Sequence, residues 1–183
     1  LKDYSTVQAA VATLLILAQS APAAAPTVRW NPKAPENGQA LPAFSYATLE
    51  PVLTAIGARY QRAGSQGKPQ LLVSFANDRK AVLTLSACDP QGTACKGLSI
   101  QSYWTKPANL PVQKAGEAIE EFNQRYAFAK AFIADDGRPA LQRYLTADYG
   151  FIRGNLAVNL LVFSRQADQF ATQVLRPLAA SVR

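Results

Sequence analysis

The chain has 183 residues, nearly half of them apolar and 17% charged, which suits one packed domain and excludes global disorder. It contains no histidine, so no Ser-His-Asp or Cys-His site can be built from this chain, and a zinc site would have only two cysteines and carboxylates to draw on. The formal net charge of +7 suits an acidic partner. Its bases are scattered, however (Lys68, Arg79, Lys80, Lys96, Lys106, Lys114, Arg125, Arg138, Arg153, Arg165), and this argues against nucleic acid, whose binders concentrate charge in one stripe.

Residues 7–18 form an apolar run followed by Gln19-Ser20 and Ala21-Pro22-Ala23. A run this short, followed by small residues, reads as a secretory signal; a membrane span needs about 20 apolar residues. Cleavage is expected after Ala23, leaving no membrane anchor, and no cysteine follows to mark a lipoprotein. The flank is atypical in that Asp3 offsets Lys2. With no methionine in the chain, Leu1 stands either for an alternative start codon or for a start further upstream. Residues 24–44, with Pro26, Pro32, Pro35 and Pro42, read as an extended linker or a tail laid over the domain, docked by Trp30.

A domain is expected over residues 45–177, with a short tail at 178–183. Leu49, Val52, Leu53, Ile56 and Tyr60 recur at helical spacing, so residues 46–63 read as an amphipathic helix, with Ser45 as N-cap and Gly64 as stop. Residues 64–69 read as a loop. Strands follow at 70–76, 80–87 and 98–104, with Asn77-Asp78 turning between the first two. Cys88 and Cys95 enclose Asp89-Pro90-Gln91-Gly92, which is turn chemistry, so the pair sits at the base of a hairpin loop. In an oxidising compartment it is expected to close as a structural disulfide; the spacing departs from the Cys-x-x-Cys of redox pairs.

A Pro-rich connection at 106–111 leads to a second helix with the face Val112, Ala115, Ile119, Phe122 and Tyr126. Residues 128–134 and 139–146 read as a hairpin around Asp135-Asp136-Gly137, with Phe128 and Phe132 as its core side. After a break at 149–151, a last helix over 155–176 carries the seam Leu156, Leu160, Phe163, Ala167, Phe170 and Val174, which suits either the core or a homodimer. The order is α-β-β-β-α-β-β-α, an antiparallel sheet with helices packed on it, hence a single α+β domain.

With Asn123, Phe128, Phe132, Asp136-Gly137, Leu141, Leu145, Gly150, Gly154-Asn155-Leu156, Phe163 and Phe170 in this order, the second half of the domain resembles the YbjN family of bacterial sensory transduction regulators. That resemblance implies a fold similar to type III secretion chaperones, which are often dimeric and bind unfolded segments of other proteins. The export signal and the cysteine pair depart from the family pattern.

No residue reads as catalytic, cofactor-binding or metal-ligating. Glu117, Glu120 and Glu121 have the spacing of a solvated helix face, and no phosphate loop or nucleophile elbow is present. The chain is therefore expected to be a periplasmic or secreted binding, chaperone-like or regulatory module, without enzymatic activity or cofactor, that engages a protein or peptide on a sheet edge or in a groove. The alternative is a binder of a small anionic ligand or envelope polymer through Tyr103, Trp104, Lys106, Lys130 and Arg143, of which Lys130 and Arg143 on adjacent strands would hold the anion.

Overall fold

The computed structural model describes residues 30–106 and 112–180. The expected signal segment 1–23, the linker up to residue 29, the connection at 107–111 and the last three residues lie outside the described residues. Among the described residues no helix is long and apolar enough to cross a membrane.

In chain order the elements are β1 (Ala40–Leu41), α1 (Tyr46–Ala55), β2 (Arg59–Ser65), β3 (Lys68–Ser74), β4 (Lys80–Cys88), β5 (Cys95–Tyr103), α2 (Val112–Arg125), β6 (Lys130–Ile133), β7 (Pro139–Thr146), β8 (Phe151–Ile152), α3 (Arg153–Phe170) and α4 (Arg176–Ala180). Six strands form one antiparallel sheet in the order β2-β3-β4-β5-β7-β6, and β1 pairs with β8 in a separate ribbon. The α+β class is as the sequence predicts. α3 and α4 are joined by one π turn, Ala171–Leu175, and the buried Leu178 belongs to the helix rather than to a tail.

Side chains alternate across the sheet. Leu71, Val73, Ala81, Leu83, Leu85, Leu98, Ile100, Ala131 and Leu141 point inward and are buried beneath the helices. The seam on α3 and the π turn is buried in the same core, so the chain's own sheet occupies it. Trp30 packs against this core from the segment before β1.

Ser45 caps α1 as expected. Its Oγ accepts from the Thr48 N–H at 3.2 Å, and the Thr48 Oγ accepts from the Ser45 N–H at 2.9 Å. The helix ends much earlier than residue 63, however. Ile56 closes it, Gly57 adopts φ +72°, and residues 59–65 turn back as an additional strand. Tyr60, which continued the helical spacing, stands on that strand and is exposed. The loop expected at 64–69 contracts to a two-residue turn at Gln66-Gly67.

Two further expectations fail locally. Val112 opens α2 but is 82% exposed, while Ala115, Ile119 and Phe122 form the buried face. The core positions around β6 are Ala129 and Ala131, and Phe128 and Phe132 are only half-buried. The cause is the close approach of α2. Asn123 donates from its amide nitrogen to the Ala131 carbonyl at 3.0 Å and accepts from the Ala131 N–H at 2.8 Å, and only a small side chain fits beneath that contact.

Candidate functional site

The outward face of the six-stranded sheet has no layer over it among the described residues. Strand alternation and register place on it Arg59 and Gln61 from β2, and Lys68, Gln70, Leu72 and Ser74 from β3. β4 and β5 contribute Lys80, Val82 and Thr84 with Ser99, Gln101 and Tyr103. β7 and β6 add Gln142 and Tyr144 with Lys130 and Phe132. Each charged residue among these strand positions is basic. Antiparallel sheets commonly leave one face to water. This one also exposes Leu72, Tyr103 and Tyr144, at 45%, 37% and 51%.

The face is concave at one end. A groove of about 560 Å³ is lined by Arg59, Gln61, Leu72, Lys80, Val82, Gln101, Tyr103 and Arg138, among others. Leu72, Val82 and the Tyr103 ring are the apolar parts of that lining, and the two glutamines offer amides in both hydrogen-bonding senses. Arg138 enters from the β6–β7 turn. Its guanidinium lies 4.7 Å from the Tyr103 ring centre and bonds Asp136 at 2.7 Å. The backbone N–H and guanidinium of Arg138 hold the Asp136 carboxyl below the usual carboxylate range. Arg59 has Asp78 3.8 Å away, both exposed.

Towards the far end of the sheet the outward face is sealed. Tyr144 lies across Gly97, so that a side chain there would collide with the Tyr144 hydroxyl and with Ser86. Gln142 donates to the Ser99 hydroxyl at 3.1 Å and Gln70 to the Thr84 hydroxyl at 3.1 Å, which ties neighbouring strands together.

The five residues expected to contact a ligand do not converge. Tyr103 lines the groove. Lys106 sits close by, its Nζ 3.1 Å from where a Cβ on Gly137 would stand. Trp104, the next residue after Tyr103, points the other way and packs edge-on against Phe170 at 5.1 Å. Lys130 is outward but belongs to the opposite edge, with β7 between it and β5. Arg143 is inward; it donates to the Phe128 carbonyl at 2.5 Å and lies over the Phe128 ring at 4.1 Å. Lys130 and Arg143 therefore stand on opposite faces and cannot share an anion. Arg59, Lys80, Arg138 and Leu72 were not singled out from sequence. The alternation of β3 and β4 places Leu72 and Lys80 outward once their partner strands are known.

On α2, Glu121 pairs with Arg125 at 2.8 Å and Glu117 accepts from Gln113 at 3.0 Å, so both serve the exposed helix face. Cys88 and Cys95 stand opposite one another in register and are disulfide-bonded. In the loop between them the Asp89 carboxylate accepts from the Thr93 hydroxyl and the N–H groups of Thr93 and Ala94. Those bonds, the Thr93 hydroxyl foremost, lower its pKa. Cys95 in turn exchanges both backbone hydrogen bonds with Phe44, each 2.9 Å, beside the start of α1. Among the described residues no group of three or more His, Cys, Asp or Glu side chains is placed to hold a metal ion.

The family model described as "YbjN: Putative bacterial sensory transduction regulator" matches residues 45–176. No curated protein matches the chain.

Proposed function

This chain belongs to the YbjN family, and from that premise we propose that it is an exported, non-enzymatic binding module that holds an extended segment of another protein against its outward sheet face. The observation that carries the reading is the groove on that face. Its charged lining is Arg59, Lys80 and Arg138, and its apolar lining includes Leu72, Val82 and Tyr103. A surface of this kind recognises a ligand by shape, hydrogen bonding and charge. The family's description as a regulator fits a protein that acts by binding. The disulfide and the absence of a membrane-crossing helix among the described residues are compatible with export.

The test is site-specific photo-cross-linking in the native envelope. A benzophenone side chain at Gln101, in the groove, is expected to capture another protein and to map to one contiguous segment of it. The same probe at Val158, exposed on α3, is expected to capture nothing comparable. Equal capture from both positions, or none from Gln101, would contradict the proposal.

A further inference from the structure

The two edges of the sheet are treated differently. β6 is a four-residue strand, and at its middle the Asn123 amide pairs with both the N–H and the C=O of Ala131. Those two groups point away from β7, so the side chain stands where a neighbouring strand would be. This is how proteins keep a sheet edge from recruiting further strands. The opposite edge, β2, has nothing of the kind among the described residues. It is seven residues long, contains no proline and is exposed along most of its length. The two-residue turn makes Ser65 and Lys68 a hydrogen-bonded pair. Alternation then leaves the N–H and C=O of Tyr60 and Arg62 facing outward, away from β3.

Both large cavities border this strand. The groove of about 560 Å³ is lined by Arg59, Tyr60 and Gln61, and a second cavity of about 430 Å³ by residues 62–66 together with Gln91, Gly92 and Thr93 of the disulfide loop. The charged strand positions around β2 are all basic, Arg59, Arg62, Lys68 and Lys80, and two carboxylates from outside the strands, Asp78 and Glu50, pair with the two arginines. Arg59 is outward, with Ser74 of β3 between it and Lys80 and Asp78 3.8 Å away, and Arg62 is inward, bidentate on Glu50 at 2.5 and 2.9 Å. β2 itself carries no acidic residue.

We infer that β2 is a recognition edge, to which an extended acidic segment of a partner protein adds as a seventh strand. The inference rests on the binding reading above and specifies its mode. Main-chain pairing supplies the attachment, and the basic flanks favour aspartate or glutamate at alternate positions of the added strand.

The probe is a fluorescein-labelled peptide of about ten residues alternating Glu with Val, a length that matches an ordinary strand. It is compared with its Lys-Val counterpart and with a Glu-Val peptide N-methylated at every second amide, in both registers. Anisotropy with the full chain is expected to show binding of the Glu-Val peptide, weakened by roughly tenfold or more by either change. Arg59→Glu should narrow the preference for the acidic peptide. Hydrogen exchange should slow at Tyr60 and Arg62 in the complex. If N-methylated peptides bind as well as the parent and shift the resonances of Leu72 and Tyr103, the edge inference falls and the face reading stands. If no peptide binds at millimolar concentration, both fall. If the free chain sediments as a dimer with these amides already protected, the edge belongs to a second copy and the inference is overturned.

Discussion

Asn123 gives the edge argument a measurable energy. Truncation to alanine removes two hydrogen bonds, of 2.8 and 3.0 Å, from a residue, Ala131, that is 1% exposed. Each such bond contributes about 0.5–1.5 kcal/mol net, and leaving both backbone groups buried and unpaired moves the loss towards the upper end, so Asn123→Ala should cost about 2 kcal/mol. For a domain of this size that corresponds to a fall in Tm of roughly 4–8 °C. Urea unfolding followed by circular dichroism is the assay, with the midpoint falling and the slope unchanged. Asn123→Asp, which keeps the acceptor and loses the donor, should fall between the two. Because the β6 edge is then unplugged, the alanine variant should also associate at concentrations where the parent does not. A loss below about 0.5 kcal/mol without association would refute the assignment of Asn123 as an edge plug.

Three further outcomes concern the disulfide, Gly97 and Asp89. Reducing the Cys88–Cys95 bond, which closes a separation of 7 residues, should lower stability by about 2.4 kcal/mol in the chain-entropy model, read as a shift in urea midpoint with and without reductant. Gly97→Ala should cost about 1–3 kcal/mol through collision with Tyr144 and Ser86, and less in a Tyr144→Ala background, which a double-mutant cycle of unfolding free energies would reveal. The Asp89 carboxyl is held below its ordinary value of 3.8 in the folded chain, so its stabilisation is fully present above that pH and is lost as the pH falls further, through the folded value. Amide exchange at Thr93 and Ala94 should accelerate over that acid range in the parent and be fast at neutral pH in Asp89→Ala.

The parts of the fold legible in the sequence are those whose side chains alternate or repeat against a core. β3, β4 and β5 bury every second residue, and α2 and α3 present one apolar face, so their patterns survive in the sequence. β2 does not, because an edge strand with no buried face has no apolar alternation to show; its sequence is Arg-Tyr-Gln-Arg-Ala-Gly-Ser. The apolar spacing running from Leu49 to Tyr60 hid the stop at Gly57. Phe128 and Phe132 misled for a related reason, since large aromatics suggest a core where the contact with α2 admits only alanine. The candidate site was legible only at Tyr103. The other groove residues come from β2, β3, β4, β5 and the turn before β7, and the sheet order that joins them is a long-range property. Asn123 was singled out by resemblance to the family, but its pairing with Ala131, eight residues on, depends on how α2 docks.

The most direct test of the outward face as the working surface is amide chemical-shift mapping. The isotope-labelled chain would be titrated with the partner segment recovered by cross-linking at Gln101. The predicted perturbations fall on Gln61, Leu72, Val82, Gln101 and Tyr103, and leave the exposed side of α3 around Val158 unchanged. Shifts confined to α3 or to the turn at Pro35–Gly38, with the groove silent, would contradict the account.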